Sequence, residues 1–394
     1  MTSSAPRRGG GEQSAQPALL TVLREWGRIG CIGFGGPPTH IKLLRALCVE
    51  QRRWIDSTEF EDAIATCNLL PGPASTQLAI YCAWRVRGRR GALVGGGAFI
   101  IPGLILILAL AALFLAGSPP QWVLGAGAGA GAAVAAVAVQ AGTNLIPASW
   151  SRRHHTVRWT AYLVAGGIAA AAIGPWLVAV LLGCGLFELT TRHPSPPGHS
   201  RGVMAFPLLA AGAAGSSIVL TLGWVALKVG ALSYGGGFVI IPLMQADAVN
   251  RYHWMSAGQF LNAVALGQIT PGPVVQTVAV VGYAAAGLGG ALLASAVAFA
   301  PSFAFILLGA GRFDRIRGDH RARAFLDGAG PAAIGAILGS AVPLARALTQ
   351  PWQYAVLAAA ALFLLPLRRG VVPTLLLAGL AGVVIVLAGG PLPH

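Results

Sequence analysis

Two prolines separated by one glycine occur twice in this chain, each time just ahead of hydroxyl and amide side chains: LLPGPASTQLA over residues 69–79 and ITPGPVVQTVA over residues 269–279. Proline has no N–H and pushes the residue before it out of helical geometry, so Pro71 and Pro73, like Pro271 and Pro273, end one element and open the next. Gly72 and Gly272 between them let backbone approach backbone or a ligand. The first amides of the helix that starts there lack intrahelical partners and carry the positive end of its dipole, which suits a bound anion. Ser75, Thr76 and Gln77 in one copy, and Gln276 and Thr277 in the other, add uncharged donors. The competing reading is a Pro/Gly kink held by local side-chain bonds. For a lone PGP that reading is the stronger; repetition with a Gln and a Thr, in swapped order, favours a functional break.

A second glycine-rich stretch, GFGGPPTHIKLLR over residues 33–45, sets Gly35 and Gly36 ahead of Pro37 and Pro38, with His40 and Lys42 following. It is no phosphate-binding loop of a soluble enzyme: GxxxxGK[ST] is missing, and no strand-like run leads into it. His40 could titrate near neutral pH or sit as a satisfied polar residue at a helix start. Arg24, Arg28, Lys42 and Arg45 flank the glycines. Charges beside apolar segments mark transport paths, with snorkelling to the headgroups as the structural alternative. The acidic residues Glu50, Asp56, Glu59, Glu61, Asp62 and Asp247 read mostly as interfacial ion-pair partners, and none of them stands out as a proton carrier.

These elements have to be positioned in a membrane. Of the 394 residues 55% are hydrophobic and only 10% charged, against about 25% charged in a soluble domain, and the mean hydropathy is +0.70. Windows at roughly 91–116, 121–149, 203–222, 286–311, 325–346 and 370–390 reach the ~20 apolar residues that a crossing needs. The net charge of +15 comes largely from arginines in short loops, such as Arg85–Arg90 and Arg152–Arg158. The positive-inside rule accounts for them better than nucleic-acid binding does. Residues 1–18 read as a cytoplasmic tail without signal-peptide features, and the five cysteines form no CxxC pair and read as buried packing residues.

Shifting the sequence by 200 residues brings GFGGP onto SYGGG with Gly235 and Gly236, Arg28 onto Lys228, Trp54 onto Trp254, Phe60 onto Phe260, and one PGP segment onto the other. Gap-free agreement over about fifty residues signals a duplication. The arginine-rich loops of the two halves are offset by one loop, so if arginine marks the cytoplasmic side the halves are inverted. Residues 162–189, interrupted by Gly174 and Pro175, must then cross twice as a short hairpin. The expected fold is an all-α polytopic membrane protein of two homologous halves in inverted topology, with helices broken or re-entrant at the PGP and GG motifs. Secondary transporters built this way hold their substrate at the repeat interface.

FGGPPTHI, RRWI with Phe60, and LLPGPASTQ, followed by YGGGFVIIPL and ITPGPVVQT, resemble the signatures of the chromate transporter family in its long-chain, two-domain form. The resemblance implies a first domain over 19–189, a linker over 190–202 and a second domain over 203–394. It also implies export of chromate across the cytoplasmic (inner) membrane, driven by the proton gradient, with sulfate or another oxyanion as the alternative substrate. Carried over by motif, the residues of interest add Arg52, Arg53 and Trp54 to Gly35, Gly36, Pro37, His40, Pro71, Gly72, Pro73 and Gln77, and to Gly235, Gly236, Trp254, Pro271, Gly272, Pro273 and Gln276. Pro37 and His40 become Gly237 and Ile240 in the second copy, so the halves are expected to differ in function. The implied partners are chromate or sulfate, the lipid bilayer and protons, without cofactor, metal or nucleic acid; a homodimer is compatible. No HExxH, GxSxG or other catalytic constellation is visible, which leaves an intramembrane enzyme acting on lipid phosphates as the remote alternative.

Overall fold

The computed structural model describes residues 17–173, 177–192, 217–233, 238–312 and 319–393. The expected N-terminal tail, most of the 190–202 linker, most of the 203–222 window and Gly235 and Gly236 lie outside them. The described residues are helical throughout, as a chain in lipid must be to satisfy its own backbone. The first half begins with α1 (Leu19–Ile32) and α2 (Pro37–Arg45), joined at the GG motif. α2 runs into a π-helical turn over Ala46–Gln51. The chain folds back on itself here: Arg52 Nη2 lies 2.6 Å from Glu25 Oε1, and Trp54 stacks on Trp26 with ring centroids 6.2 Å apart.

The PGP motif turns a second hairpin, between α3 (Ser57–Cys67) and α4 (Ala74–Phe114). Asp56 caps α3 through the amides of Thr58 and Glu59, and those two bonds hold its carboxyl below the usual range. Glu59, at the start of α3, accepts from Tyr81 and is paired with Arg85 on α4, so the arms end level. α4 is not one rod. Arg87 and Gly88 leave helical geometry, and a Cβ built on Gly96 would stand 2.9 Å from Ile80 Cγ1. In a straight helix those residues are about 24 Å apart, so α4 reverses and its second arm is the crossing expected over 91–116. α5 (Gln121–Ala132), α6 (Val134–Ser151), α7 (Thr156–Ile168) and α8 (Leu177–Arg192) complete the half.

The second half repeats this plan as α9 (Ile218–Leu232), α10 (Ile240–Gln245), α11 (Ala257–Ile269), α12 (Thr277–Gly309), α13 (His320–Arg346), α14 (Pro351–Leu364) and α15 (Val371–Leu387). Local devices recur 200 residues on: a π-turn over Ala246–Arg251, and a Ser256–Gln259 capping box where Asp56 caps α3. α12 reverses at Ala286 and Gly287 as α4 does. By length and composition Ala74–Phe114, Gln121–Ser151, Val274–Gly309 and His320–Arg346 can cross a membrane; the chain is a multi-pass membrane protein.

The halves are interlocked. α13 packs on α7 and α8 of the first half, while α5 and α6 pack on α15 and α14 of the second. The 162–189 stretch is the expected pair of antiparallel helices: Arg158 and Tyr162, early in α7, both bond Glu188 near the end of α8. Arg192 then reaches Asp327 of α13 at 2.8 Å, so the loop over 152–158 and the start of α13 share one end of the molecule.

Small residues make this interlock close. A Cβ on Gly335 would stand 1.8 Å from the Leu163 carbonyl oxygen, and one on Gly166 1.8 Å from that of Ala332. Gly335→Leu is therefore expected to separate α7 from α13 and lower the thermal unfolding temperature of the detergent-purified protein by several degrees, as overpacking by about 1–3 kcal/mol does. Gly330→Ala, where nothing lies within 4 Å, should leave it unchanged or slightly raised.

Candidate functional site

The helix breaks of the two halves meet. The Gly272 amide, in the second PGP loop, donates to the Gly33 carbonyl of the first GG segment at 3.0 Å. Gln276 sends its Nε2 across to the Ile100 carbonyl of α4 at 2.7 Å, and Gln77 uses its own Nε2 on the Pro71 carbonyl at 2.7 Å. Gly72 adopts φ +117°, which an L side chain rarely takes; its missing Cβ would stand 3.3 Å from the Gly230 carbonyl oxygen and 3.4 Å from Ser302 Oγ, both in the second half. Each PGP loop thus docks against the other copy. Gly36 faces Val274 in the same way, its missing Cβ 3.8 Å from Val274 Cγ2.

His40 is locked beneath this junction. Its Nε2 lies 2.9 Å from the Gly33 carbonyl oxygen, which can only accept, so Nε2 carries the hydrogen; the neutral ring then offers Nδ1 to the Ser75 hydroxyl at 3.2 Å. Phe99 meets the ring edge-on, with centroids 4.9 Å apart. Of the two sequence readings, the satisfied helix-start histidine describes it. Thr277 bonds the Val274 carbonyl within its own turn.

Around the junction the oxygens of Thr76 (Oγ1), Gln77 (Oε1), Gln276 (Oε1) and Ser302 (Oγ) are buried without a hydrogen-bond partner. An unpaired buried polar atom is costly, and such atoms gather where a ligand or water completes the set. The two hydroxyls can donate to an anion; the two amide oxygens, whose NH2 groups are committed, need a donor. Ser302 carries no motif. Its one signal in the sequence is a hydroxyl beside Pro301 in an otherwise apolar window, where a helix-interior proline loosens the backbone.

The basic candidates lie elsewhere. Lys42 is exposed, Arg52 pairs with Glu25 and stacks over Trp54, and Arg53 is exposed with φ 51°. None of the three is buried. Lys228 pairs with Asp247, their side chains 14% and 9% exposed, and Trp254 stacks on Tyr252. Among the described residues no group of three or more His, Cys, Asp or Glu could hold a metal ion.

A cavity of about 970 Å³ lies between α3 and α13, reaching in from the loop over 152–155. Arg152, Arg153, Arg158, Arg192 and Arg323 line it, facing the carboxylates of Glu61, Glu188 and Asp327. Glu188, its side chain 4% exposed, accepts from Tyr162 at 2.8 Å and pairs with Arg158 and Arg192. No sequence motif marked this cavity, because its walls come from both halves.

A profile described as "Chromate transporter" matches residues 20–189 and 220–385. The chain belongs to the chromate transporter family. It is 34% identical over 331 residues to a chromate transport protein of Cupriavidus metallidurans, covering 81% of this chain and 80% of that one. A chromate transport protein of Pseudomonas aeruginosa is 30% identical over 90% of this chain and 89% of its own length. An uncharacterized transporter of Methanocaldococcus jannaschii is 25% identical over 78% and 79%. No solved structure matches. For this family member the junction yields a direct test. His40→Leu removes the partner of the Ser75 hydroxyl and leaves the Gly33 carbonyl with the Gly272 amide alone, a loss of about 1–3 kcal/mol. The purified variant should melt several degrees lower and Ser75→Ala by less; equal melting of both variants and the parent would remove His40 from the scaffold of the junction.

Proposed function

We propose that the protein is a secondary transporter that exports chromate, a tetrahedral oxyanion, across the cytoplasmic membrane in exchange with or driven by protons. The observation that carries this reading is the cross-docked pair of PGP loops with their unpartnered hydroxyls, in a chain of the chromate transporter family. An oxyanion leaving water needs donors in place of its hydration shell. Helix-start amides and the hydroxyls of Thr76 and Ser302 supply them without a fixed full charge, so the anion is held and still released. Sulfate has the same shape and charge and is the second substrate that this chemistry would accept.

The two halves are inverted in this reading, and the hairpins at GG and PGP enter and leave on the same side. Charge supports the inversion. Arg24, Arg45, Arg52 and Arg53 on the first hairpins are Trp224, Gln245, Tyr252 and His253 in the second copy, as the positive-inside rule asks of a copy facing the other way. The contact between Arg192 and Asp327 brings the end of α8 beside the first turns of α13, which supports a common side for the arginine-rich segments 152–158 and 319–323.

Protein reconstituted in liposomes should move chromate down an imposed gradient, and Pro71→Ala or Gln77→Leu should cut the rate about ten-fold or more, since misplacing a positioning group costs that much, while the protein remains folded in the membrane. Absence of any oxyanion flux would sink the transporter reading. Competition with labelled sulfate in inverted vesicles at several pH gradients reads substrate and coupling together. A reporter fused after residue 196 should face the cytoplasm and one after residue 287 the outside; matching sides would reject the inversion.

A further inference from the structure

The repeat makes a comparison within one molecule possible. α11 and α5 are the counterparts of α3 and α13, and the two pairs are in different states. α11 is closed on α5: Asn262 lies against the glycine face, so that a Cβ on Gly127 would stand 2.8 Å from Asn262 Nδ2 and one on Gly131 3.0 Å from Asn262 Oδ1. Across the corresponding pair the side chains part around the cavity of about 970 Å³, with Ile64 and Asn68 on one wall and Leu326, Gly330 and Ile334 on the other. A volume of that order is many times that of a tetrahedral oxyanion.

The cavity also has the charge for one. Its five arginines face three carboxylates, an excess of two positive charges with the histidines neutral. Arg158 and Arg192 are already committed to Glu188, and Arg192 also to Asp327, so the excess is carried nearer the mouth, where Arg152 and Arg153 are exposed. A cleft with low-dielectric walls and one sign of net charge concentrates counter-ions inside it.

We propose that this cavity is the cytoplasmic mouth of the transport path and the first binding station for a doubly negative oxyanion, in a state where the corresponding outer passage is shut by Asn262 against Gly127 and Gly131. Resting on the transporter reading above, this adds a site that none of the glycine and proline motifs contain. In the alternate state α3 closes on α13 and α11 leaves α5.

The test uses Gly330→Cys, whose Cβ enters open space, with Cys31 and Cys184 changed to Ser and the three buried cysteines kept. Right-side-out and inside-out vesicles are treated with membrane-impermeant thiosulfonates, one anionic and one cationic. The engineered thiol should react from the cytoplasmic face only, faster with the anionic reagent by about ten-fold, and sulfate, which unlike chromate does not oxidise thiols, should slow it. Arg152→Gln, a change at an exposed side chain, should reduce the preference for the anionic reagent. Reaction from the outer face, reaction from neither face, or equal rates with both reagents and no effect of sulfate would each overturn the proposal. Oxyanion flux by the same vesicles separates the two readings: flux with an inaccessible thiol removes the mouth and leaves the transporter, whereas a sulfate-protected thiol without flux keeps the anion site and removes transport.

Discussion

A helix that breaks inside an apolar medium leaves amides and carbonyls with no water to turn to. Among the described residues, this fold meets part of that constraint by having the second half donate to the first. The Gly272 amide finds the Gly33 carbonyl, and Gln276 reaches the Ile100 carbonyl. α4 and α12, the helices that the two PGP motifs open, pack on each other across the halves. The duplicated gene supplies two copies of an element that is unsatisfied alone.

Much of this was legible in the residues. The PGP breaks, the first GG break, the 200-residue offset and the antiparallel helix pair over 162–189 follow from proline chemistry, identity and charge, all of which act locally. The turn of α4 at Gly88 was legible too, as the short arginine loop over Arg85–Arg90, although the chain stays helical by hydrogen bonding on both sides of it. The pairing of Arg52 with Glu25 was not. A basic residue near a motif in sequence can point either way once the chain folds back, and Glu25 decided the matter for Arg52. Ser302 and the arginine-lined cavity are products of contacts between halves, for which one chain read along its length carries no signal.

The copies share a backbone plan yet differ in chemistry. Positive φ recurs at Gly72 and Gly272, at Arg53 and His253, and at Gly88 and Gly287. His40, however, has Ile240 as its counterpart, and Arg28 with Glu25 has become Lys228 with Asp247. The scaffold is thus nearly two-fold while its polar groups are not. In the proposed transport cycle, such a frame would give two states of similar energy, with the unequal side chains setting their balance.

The contacts between halves are also unusually bare. Gly125 and Gly129 of α5 meet Gly382 of α15, Gly167 of α7 meets Gly335 and Gly339 of α13, and Gly166 meets Ala332, backbone against backbone. Interdigitated side chains lock two helices into discrete ridges and grooves. At these glycines the helices meet without such teeth, while elsewhere on α13 Phe325 seats on Gly185 and Leu338 on Gly142. The teeth of the interlock are therefore few and confined to named side chains, so that register along the helix axes rests on them and on the Arg192–Asp327 pair.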